Sequence, residues 1–253
     1  MRTGEPVRPR GVQPTMPPCP VLPLALHLAV ACGPAPLPPP PPEPPPPAVD
    51  PGPTYAQRVD TLAADRRRLA AEPRASARPR ARARLLEAVR DELVPYWLGT
   101  PWAFYGTTQT PGEGTIACGY FVSTVLAHAG LEVERVFMAQ QASEYIVKTF
   151  SPESDLRRFR RATAEQVVDW VLAQDDGLYI VGLDHHVGML VHREATVEFC
   201  HSAYTAPGAV TCSDPRTDPG FVSHYRIVGP VLTDDVVDAW LDGTALRTYR
   251  PPR

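Results

Sequence analysis

Lysine is almost missing from this sequence. Lys148 is the only one, so nearly all the positive charge is arginine. With a net charge of −3 and an isoelectric point near 6.2, the chain lacks the basic balance that nucleic-acid binding requires, and no nucleic-acid partner is expected. There is no glycine-rich phosphate loop, no dinucleotide fingerprint and no internal repeat, which removes the common nucleotide-binding and solenoid classes. The apolar run from Val21 to Val30 is too short to span a bilayer. Histidines are few, and a zinc site drawn from His185, His186, His192 and His201 has no carboxylate or cysteine at a ligand spacing. Neither a metal nor another cofactor is expected.

Proline, by contrast, is abundant, with 32 residues unevenly spread. Arg2, Arg8 and Arg10 precede the Val21–Val30 run, the layout of a secretory signal. The run ends in Leu28-Ala29-Val30-Ala31-Cys32-Gly33, and small residues before a cysteine resemble a bacterial lipobox. Residues 1–31 therefore read as a lipoprotein-type signal peptide and Cys32 as the lipidated first residue of the mature chain, exported to the bacterial envelope and held at a membrane by its lipid. Gly33 after the cysteine favours the outer membrane where a host has two. A plainly cleaved signal is the competing reading. Residues 32–53 form a proline-rich linker, since proline tracts favour an extended polyproline helix. About twenty such residues at about 3.1 Å each would hold the rest of the protein about 60 Å from its anchor.

From residue 54 to 253 the pattern is that of one domain, long enough to bury a core of its own; a monomer is expected. Val59, Leu62 and Leu69 fall at helical spacing within Tyr55 to Glu72, and Leu85, Leu86, Val89 and Leu93 within Arg82 to Leu93. The arginines between Arg66 and Arg90 are expected on solvated outer faces. Cys118 to Ala129 reads as a helix capped by Gly130. Thr163-Ala164-Glu165-Gln166 has the form of a capping box opening another, and Thr233 to Leu241 reads as a closing helix. Between these last two the period becomes strand-like at Leu178 to Leu183, His186 to His192, Thr196 to Ser202 and Phe221 to Val228. Helices followed by strands predict an α+β fold with an antiparallel sheet.

Cys118 opens its helix, where backbone amides and the macrodipole favour a thiolate. The amides of Cys118 and Gly119 are placed to receive an oxyanion, and glycine beside the cysteine lets a substrate backbone come close. A tight turn at Arg193-Glu194 would set His186 opposite His201, where the second imidazole can orient the first. His185 should face the other way, and His192 should be exposed at the turn. His128 and His224 have no partners visible in the sequence. Cys200 and Cys212 flank a Pro207-Gly208 loop that brings them opposite one another, either as a disulfide or as two buried thiols. Cys200 is the weaker candidate nucleophile, having no helix terminus to lower its pKa.

Over about residues 93–202 these motifs resemble the NlpC-type cell-wall peptidases, a papain-like superfamily. Gly99-Thr100-Pro101-Trp102-Ala103-Phe104-Tyr105-Gly106 is similar to the family's GTPYxxGG segment, Ala117-Cys118-Gly119 to its DCSG nucleophile motif, His186-Val187-Gly188-Met189-Leu190 to its HVGxY strand, and His201-Ser202-Ala203 to its second histidine element. The resemblance implies a papain-like fold, with N-terminal helices and the nucleophile helix packed on the antiparallel sheet. It implies Cys118 as nucleophile, His186 as base and then acid, His201 as orienting residue, and Gly119, Trp102 and Tyr105 around the oxyanion and substrate. The activity implied is hydrolysis of amide bonds in peptidoglycan peptides, or another peptide substrate, through a thioester. Ala117, Gly119 and Trp102 depart from the family's aspartate, serine and tyrosine, which leaves the pocket open. An acyltransferase on the same fold and a non-catalytic lipoprotein binding the wall or a partner are the alternatives.

Overall fold

The computed structural model describes residues 52–251. The expected signal segment, Cys32 and nearly all of the proline-rich linker lie outside them. The described chain begins with two long helices. α1 (Tyr55–Ala70) opens on a complete Thr54–Gln57 capping box. α2 (Arg74–Glu87) starts eight residues before the sequence pattern suggests, because it runs through Pro79. It passes into a π-helical segment (Ala88–Leu93) and the short α3 (Val94–Trp97), which contains Pro95. The wider π turn passes the Val94 amide back to Val89 just ahead of a residue that has no amide of its own to donate.

α4 (Cys118–His128) is followed by two short helices, α5 (Arg135–Ala139) and α6 (Ser143–Phe150), then strand β1 (Arg157–Arg160) and α7 (Ala164–Leu172). At the start of α7 both bonds of the Thr163–Gln166 capping box are made. Strands β2 (Gly177–Leu183), β3 (Val187–Arg193), β4 (Thr196–Ser202), β5 (Val210–Ser213) and β6 (Tyr225–Pro230) follow, and α8 (Asp234–Asp242) closes the element order. The sheet is antiparallel throughout, in the order β1-β6-β2-β3-β4-β5.

Every residue of β2 is buried, because the sheet is covered on both faces. On one face Leu178, Ile180, Met189 and Ile227 pack with Phe121, Val122, Val125 and Leu126 of α4 and with Trp97 and Trp240. On the other, Val181, Leu190, Phe199 and Val228 pack with Val167, Val168 and Val171 of α7. The molecule is thus α+β, with helices on both sides of a six-stranded antiparallel sheet.

Three expectations change. The β3–β4 turn is Glu194-Ala195, since Arg193 pairs with Thr196, so the register is shifted by two residues and His186 is not directly opposite His201. Phe221 lies in a 3-10 turn (Pro219–Phe221) ahead of β6 rather than within it. The α2 arginines do more than face solvent: Arg74 and Arg78 reach Asp242 and Asp238, and Arg82 lies 2.6 Å from Asp234, joining α2 to α8. No helix among the described residues is long and apolar enough to cross a membrane.

Candidate active site

Cys118, the free cysteine among the described residues, is the first residue of α4. Its N-cap, Ala117, offers no side-chain bond to the first-turn amides, so these remain free for other acceptors. The amides of Val187, Gly119 and Cys118 itself bond the sulfur, but burial outweighs them and pushes the thiol above its ordinary pKa. The amides act in the direction expected of a helix start, but the helix terminus alone does not make a thiolate here. Ser202 on β4 fixes the preceding segment by donating to the Ile116 carbonyl at 2.7 Å.

His186 ends a two-residue turn (Asp184-His185), its carbonyl accepting from the Leu183 amide at 2.8 Å. Cys118, Gly119, His186 and Val187 line one cleft of about 250 Å3 together with Gln141 and Ser143. The His186 ring is only 3 % exposed. Its Nε2 lies 2.7 Å from Nδ1 of His201, while its Nδ1 is buried with no hydrogen-bond partner, Cys118 included. Burial, seconded by His201, holds the His186 imidazole down at about 3. The resting pair is accordingly a neutral thiol and a neutral imidazole. Hydrogen bonds of this kind are often long in unliganded enzymes and tighten around substrate.

His201, wholly buried, reaches His186 diagonally across the ladder. This is open to it because Gly188 stands between: a β-carbon there would sit 2.9 Å from that of His201 and 3.0 Å from Cζ of Phe199. Phe199 stacks on the His201 ring with centroids 4.1 Å apart. On its far side, Nε2 of His201 lies 3.1 Å from Oδ2 of Asp218. That oxygen also accepts from the Ser213 hydroxyl, and Oδ1 accepts from the Gly220 amide at 2.7 Å. Sequence reading missed Asp218, which sits on a loop 17 residues beyond His201; its one sequence signal is an aspartate capping the Pro219-Gly220 turn. It also missed Tyr204, whose ring stands 5.1 Å from that of His186.

Trp102 contacts the site through Tyr204, ring to ring at 6.4 Å. Tyr105 is 88 % exposed, packs on Phe104 and is not part of the cleft lining. Gly119 is required by the chain's own packing, since a β-carbon there would overlap the Ala139 carbonyl oxygen. His185 is exposed and lines the cleft. His192 is buried rather than turn-exposed, with its ring nitrogens near the carbonyls of Asp175 and Glu194. His128 has a partner, the Tyr55 hydroxyl at 2.8 Å. A disulfide joins Cys200 to Cys212 across β4 and β5.

No protein-family model matches the chain, and no curated protein and no solved structure matches it.

Proposed function

We propose that the protein is a cysteine hydrolase of papain-like, NlpC-like type, carried to the bacterial envelope as a lipoprotein and acting on amide bonds of peptidoglycan peptides. The observation that carries this reading is the shared cleft of Cys118 and His186, with His186 backed by His201. The peptide substrate class and the lipid anchor rest on the motif residues and on the Cys32 segment alone.

In this mechanism the Cys118 sulfur attacks the carbonyl carbon while Nδ1 of His186 takes the thiol proton, and the amides of Cys118 and Gly119 face the developing oxyanion. The proton passes to the leaving amine as the C–N bond breaks, which leaves a thioester. Water, deprotonated by His186, then releases the carboxylate and restores the thiol. Because both groups rest neutral, proton transfer accompanies attack instead of preceding it.

The test is digestion of purified peptidoglycan by the full chain, following new amino groups and fragment masses, with Cys118→Ala and His186→Ala alongside. Matched amine and carboxyl ends, lost in both variants, are expected. Transfer of the acyl group to an added amine would mark an acyltransferase. Sedimentation with the wall without any new ends, equal in all three proteins, would overturn catalysis in favour of a binding lipoprotein. The raised thiol and the absent Cys118–His186 hydrogen bond are what favour that second reading.

A further inference from the structure

We propose that Asp218 is a positioning residue that fixes the tautomers of both imidazoles, and so keeps the basic lone pair of His186 on Nδ1. The inference rests on His186 being the base of the proposed hydrolase.

An ionised carboxylate only accepts. Asp218 is kept in that form: burial pulls its carboxyl up, but the Ser213 hydroxyl, His201 and the Gly220 amide together bring it below its ordinary value. The 3.1 Å contact therefore needs the proton of His201 on Nε2. A neutral imidazole carries one N–H, so Nδ1 of His201 must accept, and the 2.7 Å contact then needs the proton of His186 on its Nε2. Nδ1 of His186 is left with its lone pair, and among the described residues it is the one buried histidine nitrogen without a hydrogen-bond partner. Two links away from the cleft, Asp218 thus decides which nitrogen of His186 is basic.

The surroundings make the relay directional. Oδ1 of Asp218 is held by the Gly220 amide at 2.7 Å. In Asp218→Asn the amide oxygen would keep that bond, which places the NH2 against His201. A donor there forces the His201 proton onto Nδ1, hence the His186 proton onto its own Nδ1, blocking the base. One oxygen replaced by NH2 inverts two rings without changing their positions.

The test is 15N-histidine NMR of the full chain, in which long-range nitrogen–proton correlations report the tautomer of each ring without a substrate. His186 and His201 should both be protonated on Nε2 in the native protein and on Nδ1 in Asp218→Asn. If the proposed hydrolysis holds, kcat should fall by about 10^4-fold with KM little changed, the size a wrong tautomer has in serine proteases; Ser213→Ala, which leaves the carboxylate in place, should keep the native tautomers. A native His186 protonated on Nδ1 overturns the proposal by itself, even if Asp218→Asn does not fold. So does a folded Asp218→Asn with unchanged tautomers. Native tautomers as expected in a protein that digests no peptidoglycan would uphold the relay and reject the hydrolase.

Discussion

Nε2 of His186 lies 2.7 Å from Nδ1 of His201, although the two residues do not face one another across the β3–β4 ladder. The diagonal is short enough for two imidazoles only because Gly188 leaves the space between them empty. Gly188→Ala should therefore damage the site first and the fold second. The added methyl would meet the β-carbon of His201 at 2.9 Å and Cζ of Phe199 at 3.0 Å, inside a packed sheet, at a cost of about 1–3 kcal/mol. The expected outcome is a lower melting temperature and loss of the His186–His201 contact, seen as a changed NMR signature of both rings. Unchanged ring signals in a folded variant would show that the imidazoles do not depend on the glycine.

Why the sequence placed these histidines on one face yet misjudged their register is a matter of turn chemistry. A shift of two residues preserves the side on which a strand residue points, so the period-2 pattern alone brings His186 and His201 together. The turn itself carries no glycine or asparagine. Glu194 adopts φ +57 there, and its amide is held by both carboxylate oxygens of Asp176 at 2.9 and 3.0 Å, a tertiary bond that no local pattern announces. β1 was hidden for a similar reason. Arg157-Arg158-Phe159-Arg160 has one apolar residue among three arginines and becomes a strand only by pairing with β6, whose partner residues are Tyr225 to Val228. Cys118 was legible because a helix start and a cysteine coincide; Asp218 was not, since its meaning depends on a histidine that another strand delivers.

Acid should weaken the fold well before the carboxylates titrate. His186 is held at about 3 against an ordinary 6.5 by burial first and by His201 second. Below 6.5 the unfolded chain gains a proton that the native ring refuses until about 3. Stability is then lost as pH falls through this window, by about 1.4 kcal/mol per pH unit for each ring so held. His201 and His128 are lowered in the same direction, also chiefly by burial. Denaturant titrations at pH 7, 5.5 and 4.5 should show the decline, with a shallower slope in His186→Gln. Equal stability at all three values would mean that His186 is not buried in neutral form.

The Cys200–Cys212 disulfide ties the edge strand β5 to β4 next to His201, and β5 carries the Ser213 hydroxyl that bonds Asp218. Reduction, or the paired Cys200→Ser and Cys212→Ser changes, should cost about 2–4 kcal/mol, as is usual for a loop of this length. The effect should reach the site through Ser213, so the His201 ring signals should shift as well. Thermal melts with and without reductant measure the first effect and NMR the second; a reduced protein that melts at the same temperature with the same spectrum would confine the bridge to a passive role.

Placing serine at position 119, where the nucleophile motif of the proposed family carries one, should harm the protein instead of improving it. The α-carbon of Ala139 would already lie 3.3 Å from an added β-carbon, and its carbonyl oxygen nearer still, because the end of α5 packs directly on the first turn of α4. A serine must push α5 away, and Ala139 and its neighbours Gln141 and Ala142 line the cleft, so the cleft would widen with it. Gly119→Ser and Gly119→Ala should each destabilise by about 1–3 kcal/mol, with alanine no milder than serine, since the clash arises at the β-carbon. Denaturant midpoints of the two variants measure this. Midpoints unchanged from the native protein would mean that α5 yields freely, and would return Gly119 to the role of admitting a substrate backbone.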